Sequence, residues 1–124
     1  MAKPERTKDT PESQLPLTAA TFHILMALVP GERHGYAIMQ DVEESTGGAV
    51  RLGPGTLYGS LKRLLEDGIV DECGERADPA MGDERRRYYR ITKYGLSVAR
   101  AEARRMESVV RTARQKKLIG PRSA

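Results

Sequence analysis

The residues best suited to chemistry in this chain are hydrogen-bond donors and cations, and they are concentrated in two segments. The first group consists of Gly55, Thr56, Tyr58, Gly59, Ser60, Lys62 and Arg63. The second group is a run of three guanidinium side chains, Arg85, Arg86 and Arg87. Hydroxyl and basic side chains donate to phosphate oxygens and base edges, and glycine lets a backbone approach a ligand closely. The two segments therefore fit binding to an anionic polymer such as nucleic acid, and they also fit a solvated surface helix and a solvated strand end.

Catalytic and metal sites are not indicated by the sequence. His23 and His34 have no Cys or carboxylate at metal-ligand spacing, and no nucleophile has a base and an orienting group. The string Gly53-Pro54-Gly55 lacks the Lys-Ser/Thr ending of a nucleotide-binding loop. Cys73 is the single cysteine, so no internal disulfide forms, and its role is either packing or redox sensing. We predict no enzyme, no cofactor and no metal.

The first polar group lies on a segment with helix signals at both ends. Pro54 suits a first helical turn, and Gly68 suits a left-handed cap after the last turn. An apolar stripe at helical spacing consists of Leu57, Leu61, Leu64 and Leu65. The pattern predicts a helix over 54–67 that buries leucines and exposes the small, hydroxylic and basic residues.

Two helices are predicted to precede this segment. A strongly apolar run that begins after Thr18 and ends at Pro30 predicts the first helix. The second opens at His34, whose side chain is expected to cap it, and continues to about Thr46. Tyr36 lies in its first turn, on the side assigned to the core, and also stays a candidate for ligand contact.

A β-hairpin is predicted to follow the third helix. Residues 69–73 indicate a short strand, residues 74–84 a mobile loop, and residues 86–92 the returning strand. Alternation along the returning strand places Tyr89 and Ile91 on its core face. The arginine run therefore lies near the tip of the hairpin.

The last predicted helix runs from residue 93 to about 116 and is capped by Thr92. Apolar and small residues recur along it at steps of three and four for nearly three heptads. We call this set the apolar seam: Leu96, Ala99, Ala103, Met106, Val110 and Ala113. Since a long exposed helix with such a seam rarely stands alone, we predict that it forms a homodimer contact. Its basic flanks are interpreted as a solvated surface of that helix rather than a second DNA site.

The order helix, helix, helix, strand, strand, helix is that of a winged helix-turn-helix. We predict a mainly α (α+β) fold with a two-stranded wing and a long C-terminal dimerisation helix. In this architecture the third helix enters the major groove of double-stranded DNA, and the wing lies against a flanking groove or the backbone. The candidate DNA contacts are then both polar groups named above together with Tyr36. Two alternatives stay open: a winged-helix module that binds an acidic protein partner, and an RNA-binding module.

Composition and length set limits on the organisation of the chain. Its 124 residues are enough for one domain, and the net charge of +4 is compatible with nucleic acid. We predict a flexible tail over 1–14, a DNA-binding domain over 15–92, a dimerisation helix over 93–117 and a flexible tail over 118–124. No apolar run approaches the ~20 residues of a membrane span, and the N-terminus lacks a signal-peptide core. A cytoplasmic protein without a membrane partner is expected.

Three strings, HGYAIMQDVEEST, GPGTLYGSLKRLLEDGIV and RRRYYRITKYG, together resemble the PadR family of bacterial transcriptional regulators. The most specific of them is GTLYGSLKRL, residues 55–64. The resemblance implies a dimeric winged-helix repressor whose C-terminal helices form the dimer contact, and a single such helix resembles the short branch of the family. A near-palindromic operator and a small-molecule effector of unknown identity are expected.

Overall fold

The computed structural model describes residues 9–82 and 84–121, which form helices packed beside a small sheet. In chain order the elements are α1 (Ala19–Leu28), β1 (Arg33–His34), α2 (Gly35–Ser45), α3 (Pro54–Glu66), β2 (Val70–Ala77), β3 (Arg85–Ile91) and α4 (Lys93–Gln115). Short 3-10 turns cover Pro11–Gln14 and Pro79–Met81. The predicted α+β class and winged-helix order of elements are confirmed. Within the described ranges, no helix is both long enough and apolar enough to cross a membrane.

Three of the helices begin at side-chain caps, as predicted. Thr18, His34 and Thr92 each accept a hydrogen bond from the backbone N–H three residues further on, at 3.1, 3.1 and 2.9 Å. Helix α3 begins at Pro54 without a side-chain cap, and Gly68 follows its end with φ +74°. Because each cap satisfies a backbone donor that the helix leaves free, these residues define where α1, α2 and α4 start.

One core is enclosed by α1, α2, α3, the sheet and the first turns of α4. Its buried side chains are Ile24, Leu25, Ala27, Leu28, Ile38, Val42, Leu57, Leu61, Leu64, Ile69, Val70, Tyr89, Val98 and Ala99. Tyr89 is buried as predicted, and Ile91 packs against the core from a half-buried position. The inner leucines of α3 therefore hold that helix by one face and leave its other face free.

The sheet contains one strand more than predicted and a longer hairpin. β1 pairs with β3 and β3 pairs with β2, all antiparallel, so the strand order is β1-β3-β2. β2 continues to Ala77 because an irregularity between Glu72 and Glu75, around Gly74 at φ +106°, absorbs extra residues without ending the pairing. The predicted loop over 74–84 is therefore wrong over much of its length, which forms strand and a 3-10 turn.

The N-terminal segment is ordered further toward its start than composition predicted. Gln14 Nε2 donates to the Tyr94 hydroxyl at 3.3 Å, and that hydroxyl donates to the Thr10 carbonyl at 3.4 Å. The expected tail over 1–14 is thus wrong for residues 10–14, because polar contacts with α4 replace the apolar anchors that the segment lacks. The rest of the predicted tail, residues 1–8, lies outside the described residues.

The apolar seam divides into two parts in the structure. Ala99 lies in the protomer's own core and Leu96 is half-buried, whereas Ala103, Met106 and Val110 are exposed. The assignment of Ala99 to a dimer contact is therefore wrong, since the first turns of α4 already pack on α1 and the sheet. Ala113 is half-buried, and only the later part of the seam is free for a partner.

The chain folds back after the end of α4. Leu118 N–H donates to the Ala113 carbonyl at 3.0 Å, and Arg114 Nε donates to the Gly120 carbonyl at 2.8 Å. The predicted flexible tail therefore has a hydrogen-bonded first part, because the carbonyls at the helix end need donors. Residues 122–124 of that tail lie outside the described residues.

Glu102 is a buried carboxylate that the sequence did not single out. It accepts the Leu17 N–H at 3.0 Å and the Arg105 Nε–H at 2.6 Å, so it joins α4 to the segment before α1. The hydrogen bond from Arg105 is the largest cause that holds the pKa of Glu102 below its usual range, and burial opposes it. A carboxylate whose charged form is stabilised in this way contributes to folding only while it is ionised.

Glu102→Gln is expected to lower the free energy of unfolding at pH 7 by about 1–3 kcal/mol, since a charge-assisted pair is replaced by a neutral amide. The folded pKa lies below the unfolded value of about 4.3, so the difference from wild type is fully present above pH ~5 and disappears as pH falls through the folded pKa. Denaturant unfolding at several pH values measures this difference. Glu107→Gln, on the exposed face of α4, is the control, and a pH-independent difference would contradict the assignment.

Candidate nucleic-acid interface

The outer surface of α3 is lined by residues with little or no side chain. Leu57, Leu61 and Leu64 are at most 4% exposed and form its inner stripe. Gly55, Gly59 and Lys62 follow the spacing i, i+4, i+7 and therefore form a line on the opposite side of the helix. Thr56, Tyr58 and Arg63 are exposed on either flank of this line. We call Gly55, Gly59 and Lys62 the outer line.

The two glycines of the outer line are not required by packing within the protomer. An ideal Cβ built at Gly55 or at Gly59 would have no atom within 4 Å, and neither residue has a positive φ. A mid-helix glycine nevertheless costs about 1 kcal/mol relative to alanine. No contact within the protomer requires glycine at position 59. A ligand that approaches the helix backbone closely would require it.

Ser60 was predicted among the exposed contacts, and this prediction is wrong. Its residue is 4% exposed and lies on the inner stripe, three positions after Leu57 and four before Leu64. The error arose because a hydroxyl residue was assigned to the polar face by type, whereas helical spacing places it inward. The remaining contacts predicted on α3 lie at its surface.

Tyr36 and Tyr58 bring α2 and α3 together at the edge of the interface. Their side chains are 41% and 47% exposed, so the sequence assignment of Tyr36 to the buried side of α2 is wrong. The Tyr58 hydroxyl lies so close to Gly35 that a Cβ there would collide with it. Gly35 therefore allows Tyr58 to lie across the N-terminus of α2.

A cleft of about 220 Å³ separates these tyrosines from the wing. We call it the wing cleft, and its lining residues are His34, Gly35, Tyr36, Tyr58, Glu84, Arg85, Arg86 and Arg87. The N-terminus of α2, the second turn of α3 and the hairpin thus converge where the sequence predicted separate contacts. The first backbone N–H groups of α2 lie at the same place and favour an anion.

Arg86 is the arginine most closely associated with the wing cleft. Its guanidinium lies 5.7 Å from the centre of the Tyr36 ring and 3.3 Å from a Glu84 carboxylate oxygen. Its side chain is 24% exposed, and its Nε is buried with no hydrogen-bond partner in the described protein. The rest of the guanidinium is partly exposed, so Arg86 can still donate to an acceptor that enters the cleft.

The other two arginines are engaged within the wing. Arg87 forms ion pairs with Glu72 at 3.0 Å and with Glu75 at 3.6 Å, and the charge of Glu72 is the largest cause that raises the pKa of Arg87. Arg85 donates to the Glu75 carbonyl at 2.6 Å. The sequence treated the three arginines alike, whereas their contacts differ in the structure, because Arg86 lies against Tyr36 and Glu84 and Arg87 pairs with Glu72 and Glu75.

Two links between the wing and the segment before α2 were not predicted. His34 Nε2 lies 2.8 Å from a carboxylate oxygen of Asp78. Glu32 forms an ion pair with Arg76, which lowers the pKa of Glu32, and the Arg76 guanidinium stacks 3.8 Å from the centre of the Tyr88 ring. Each link spans 44 residues of sequence, so no local pattern indicates it.

Comparisons with known sequences identify relatives of this chain. A family model described as the transcriptional regulator PadR-like family matches residues 24–101. An uncharacterized 37.1 kDa protein in a transposon of Streptomyces fradiae is 37% identical over 87 residues, which is 70% of this chain and 23% of that protein. Transcriptional regulator Rv3488 of Mycobacterium tuberculosis is 32% identical over 93 residues, 75% of this chain and 80% of the relative.

Solved structures share the fold at lower identity. A PadR family transcription regulator from Clostridium difficile has a TM-score of 0.66 at 23% identity, over 77% of this chain and 95% of that one. Bacillus subtilis PadR in complex with operator DNA has a TM-score of 0.58 at 19% identity, over 82% of this chain and 64% of that one. At these identities the likeness establishes the winged-helix fold alone.

Proposed function

The chain belongs to the PadR-like family of transcriptional regulators, and we propose that it is a sequence-specific repressor that binds double-stranded DNA as a homodimer on a near-palindromic operator. The observation that carries this proposal is the wing cleft, where Tyr36, Tyr58 and Arg86 come together. Tyr58 also flanks the outer line of α3, so the cleft and the outer line adjoin. The Bacillus subtilis protein of the same fold was solved with operator DNA, which supports the polymer chosen.

In this proposal α3 enters the major groove along its outer line. The bare backbone at Gly55 and Gly59 lets the helix lie deep in the groove, and Lys62 continues the same line with a positive charge. Thr56 and Arg63, exposed on a flank of the helix, donate to base edges or to the phosphates at the groove wall. Sequence discrimination then comes from few side chains and from the shape of the groove.

The wing cleft is proposed to bind the phosphate backbone beside that groove. The exposed part of the Arg86 guanidinium is proposed to donate to a phosphate oxygen at the cleft, in competition with Glu84. Tyr36, Tyr58 and Gly35, the first residue of α2, line the same space, and the first N–H groups of a helix favour an anion. Such contacts orient a protein on the duplex without distinguishing bases.

A second copy of the chain is the proposed partner of the free part of α4. Met106, Val109 and Val110 are 43%, 56% and 42% exposed, and Leu118 and Ile119 extend this apolar surface beyond the helix. Paired α4 helices would present two copies of α3 to successive major grooves, about 34 Å apart on the DNA. Arg85 and Arg87 remain proposed backbone contacts at the outer edges of that assembly.

An effector that relieves repression is proposed to act at α4. An open groove of about 460 Å³ runs along it and is lined by Glu107, Val110, Arg111, Arg114 and Gln115. A small molecule bound there would change the angle between protomers, and with it the spacing of the two recognition helices.

A footprint of the purified protein on its own upstream DNA tests the proposed function. Protection of a short inverted repeat, weakened steeply by added salt, is the expected result because phosphate contacts release counterions. Absence of protection at low salt would overturn it. That outcome would favour an acidic protein partner or RNA as the ligand of this surface.

Gly59→Ala separates folding from DNA contact. The free energy of unfolding is expected to rise by about 1 kcal/mol, because alanine favours the helix and its methyl meets no atom of the protomer. DNA affinity is expected to fall about tenfold, the effect of losing ~1.4 kcal/mol, since the methyl stands between the helix backbone and the groove. Denaturant unfolding and DNA titration measure the two quantities. Gly120→Ala, in open space away from α3, is the control, and unchanged affinity of Gly59→Ala would contradict groove entry along the outer line.

A further inference from the structure

His34 and Asp78 join two chain turns that are far apart in sequence. His34 Nδ1 accepts the Ala37 N–H at 3.1 Å and so caps α2. Because Nδ1 is an acceptor, the proton of the neutral imidazole lies on Nε2, which donates to Asp78 Oδ2 at 2.8 Å. The other oxygen, Asp78 Oδ1, accepts the Ala80 N–H at 3.0 Å and so caps the 3-10 turn Pro79–Met81. One hydrogen bond therefore connects the cap of α2 with the cap of the turn in the wing.

The surroundings make this link more rigid than an ordinary surface contact. His34 is 2% exposed, and its ring meets the Tyr88 ring edge-on at a centroid distance of 5.3 Å. β1 pairs His34 with Tyr88, two residues from Arg86 on β3. Asp78 directly follows Ala77, which pairs with Arg85 at the start of β3. Both ends of the link thus adjoin the arginines of the wing cleft.

We propose that His34 and Asp78 are positioning residues for DNA contact: their hydrogen bond holds the turn of the wing against the N-terminus of α2, and so keeps Arg85 and Arg86 at the wing cleft. The proposal rests on the proposed DNA-binding function. Neither residue needs to touch DNA. The Glu32–Arg76 pair holds the middle of the wing, whereas the His34–Asp78 pair holds its turn.

The direction in which Asp78→Ala changes DNA affinity distinguishes a positioning role from a purely electrostatic one. Asp78→Ala removes a negative charge near the DNA-binding face, which by electrostatics alone would tighten DNA binding. The positioning role requires the opposite result. Glu72→Ala is the matched control, because it removes the same charge from β2 but breaks only the pair with Arg87 inside the wing.

The experiment uses the full chain and four variants: His34→Asn, Asp78→Ala, the double variant and Glu72→Ala. Asparagine is a good helix cap, so His34→Asn can keep α2 capped while its short side chain loses Asp78. We expect His34→Asn and Asp78→Ala each to weaken DNA binding about five- to tenfold, and the double variant to be no worse than either, since residues of one network are not additive. Glu72→Ala should bind as tightly as wild type or tighter.

Amide hydrogen exchange of the free protein tests the link without DNA. Exchange of the backbone N–H groups of residues 80–82 and 84–86 should rise about tenfold in His34→Asn and Asp78→Ala, and stay unchanged in Glu72→Ala. The proposal would be overturned if Asp78→Ala bound DNA as tightly as Glu72→Ala. It would also be overturned if amide hydrogen exchange in the wing stayed unchanged in His34→Asn. A wild-type protein that protects no DNA would overturn the proposed function alone, and the exchange data would still decide the link.

Discussion

Replacing both Met106 and Val110 with glutamate is expected to produce monomers whose DNA affinity is about a thousandfold lower. The two side chains are more than two-fifths exposed on the free part of the apolar seam, so neither supports the fold of one protomer. In a dimer they would be buried between two α4 helices, where unpaired carboxylates are strongly unfavourable. Loss of the second copy also removes the second half-site contact, whose gain in avidity is typically 10²- to 10⁴-fold.

Sedimentation velocity and titration of operator DNA measure the two consequences. The control variant Ser108→Glu with Thr112→Glu adds the same charge on the opposite side of α4, at exposed positions four residues apart. It should remain dimeric and lose affinity only through added negative charge. A Met106→Glu and Val110→Glu variant that sediments like wild type would remove the apolar seam from the interface.

Gly95→Ala is expected to lower the free energy of unfolding by about 3 kcal/mol, which for a domain of this size is a fall in Tm of roughly 10–20 °C. A Cβ at this position would collide with the Ile69 carbonyl group and with Ile91 Cγ1. The carbonyl cannot retreat freely, because it also accepts the Thr92 N–H at 3.0 Å. The segment that joins α3 to β2 therefore meets the first turn of α4 backbone against backbone at Ile69 and Gly95.

Thermal and denaturant unfolding of Gly95→Ala measure this loss. Gly59→Ala is the matched control, because it places the same methyl on a helical glycine with open space around it and should stabilise the protein. A Gly95→Ala protein with a Tm within about two degrees of wild type would show that Ile69 and α4 can move apart at little cost in free energy.

Local chemistry allowed much of the fold to be predicted from sequence. Thr18, His34 and Thr92 begin helices as expected, since a cap acts on backbone donors within three residues. The leucine stripe of α3 and the inward face of Tyr89 followed from periodicity alone. The resemblance to the PadR family rested on short strings, and the family model confirmed it.

Predictions failed where residue type was given more weight than position or where distant segments meet. Ser60 was assigned outward because it is polar, although its spacing from Leu57 is that of the buried stripe. Residues 10–14 lack apolar side chains, and their order comes from hydrogen bonds to Tyr94, some 80 residues away. No window of local sequence contains that partner.

The sequence by itself determined the four helices, the hairpin and most of their inner faces, because helical and strand periods are properties of neighbouring residues. Only the tertiary structure decided which residues of the same type, or of the same predicted group, have different roles. Folding buried Glu102 and so divided the apolar seam into a core part and a free part. It placed Arg86 against Tyr36 but paired Arg87 with Glu72. It also joined His34 to Asp78. The physical reason is that these roles depend on which charge or hydrogen-bond partner folding brings within about 3 Å, and such partners lie on other elements of the chain.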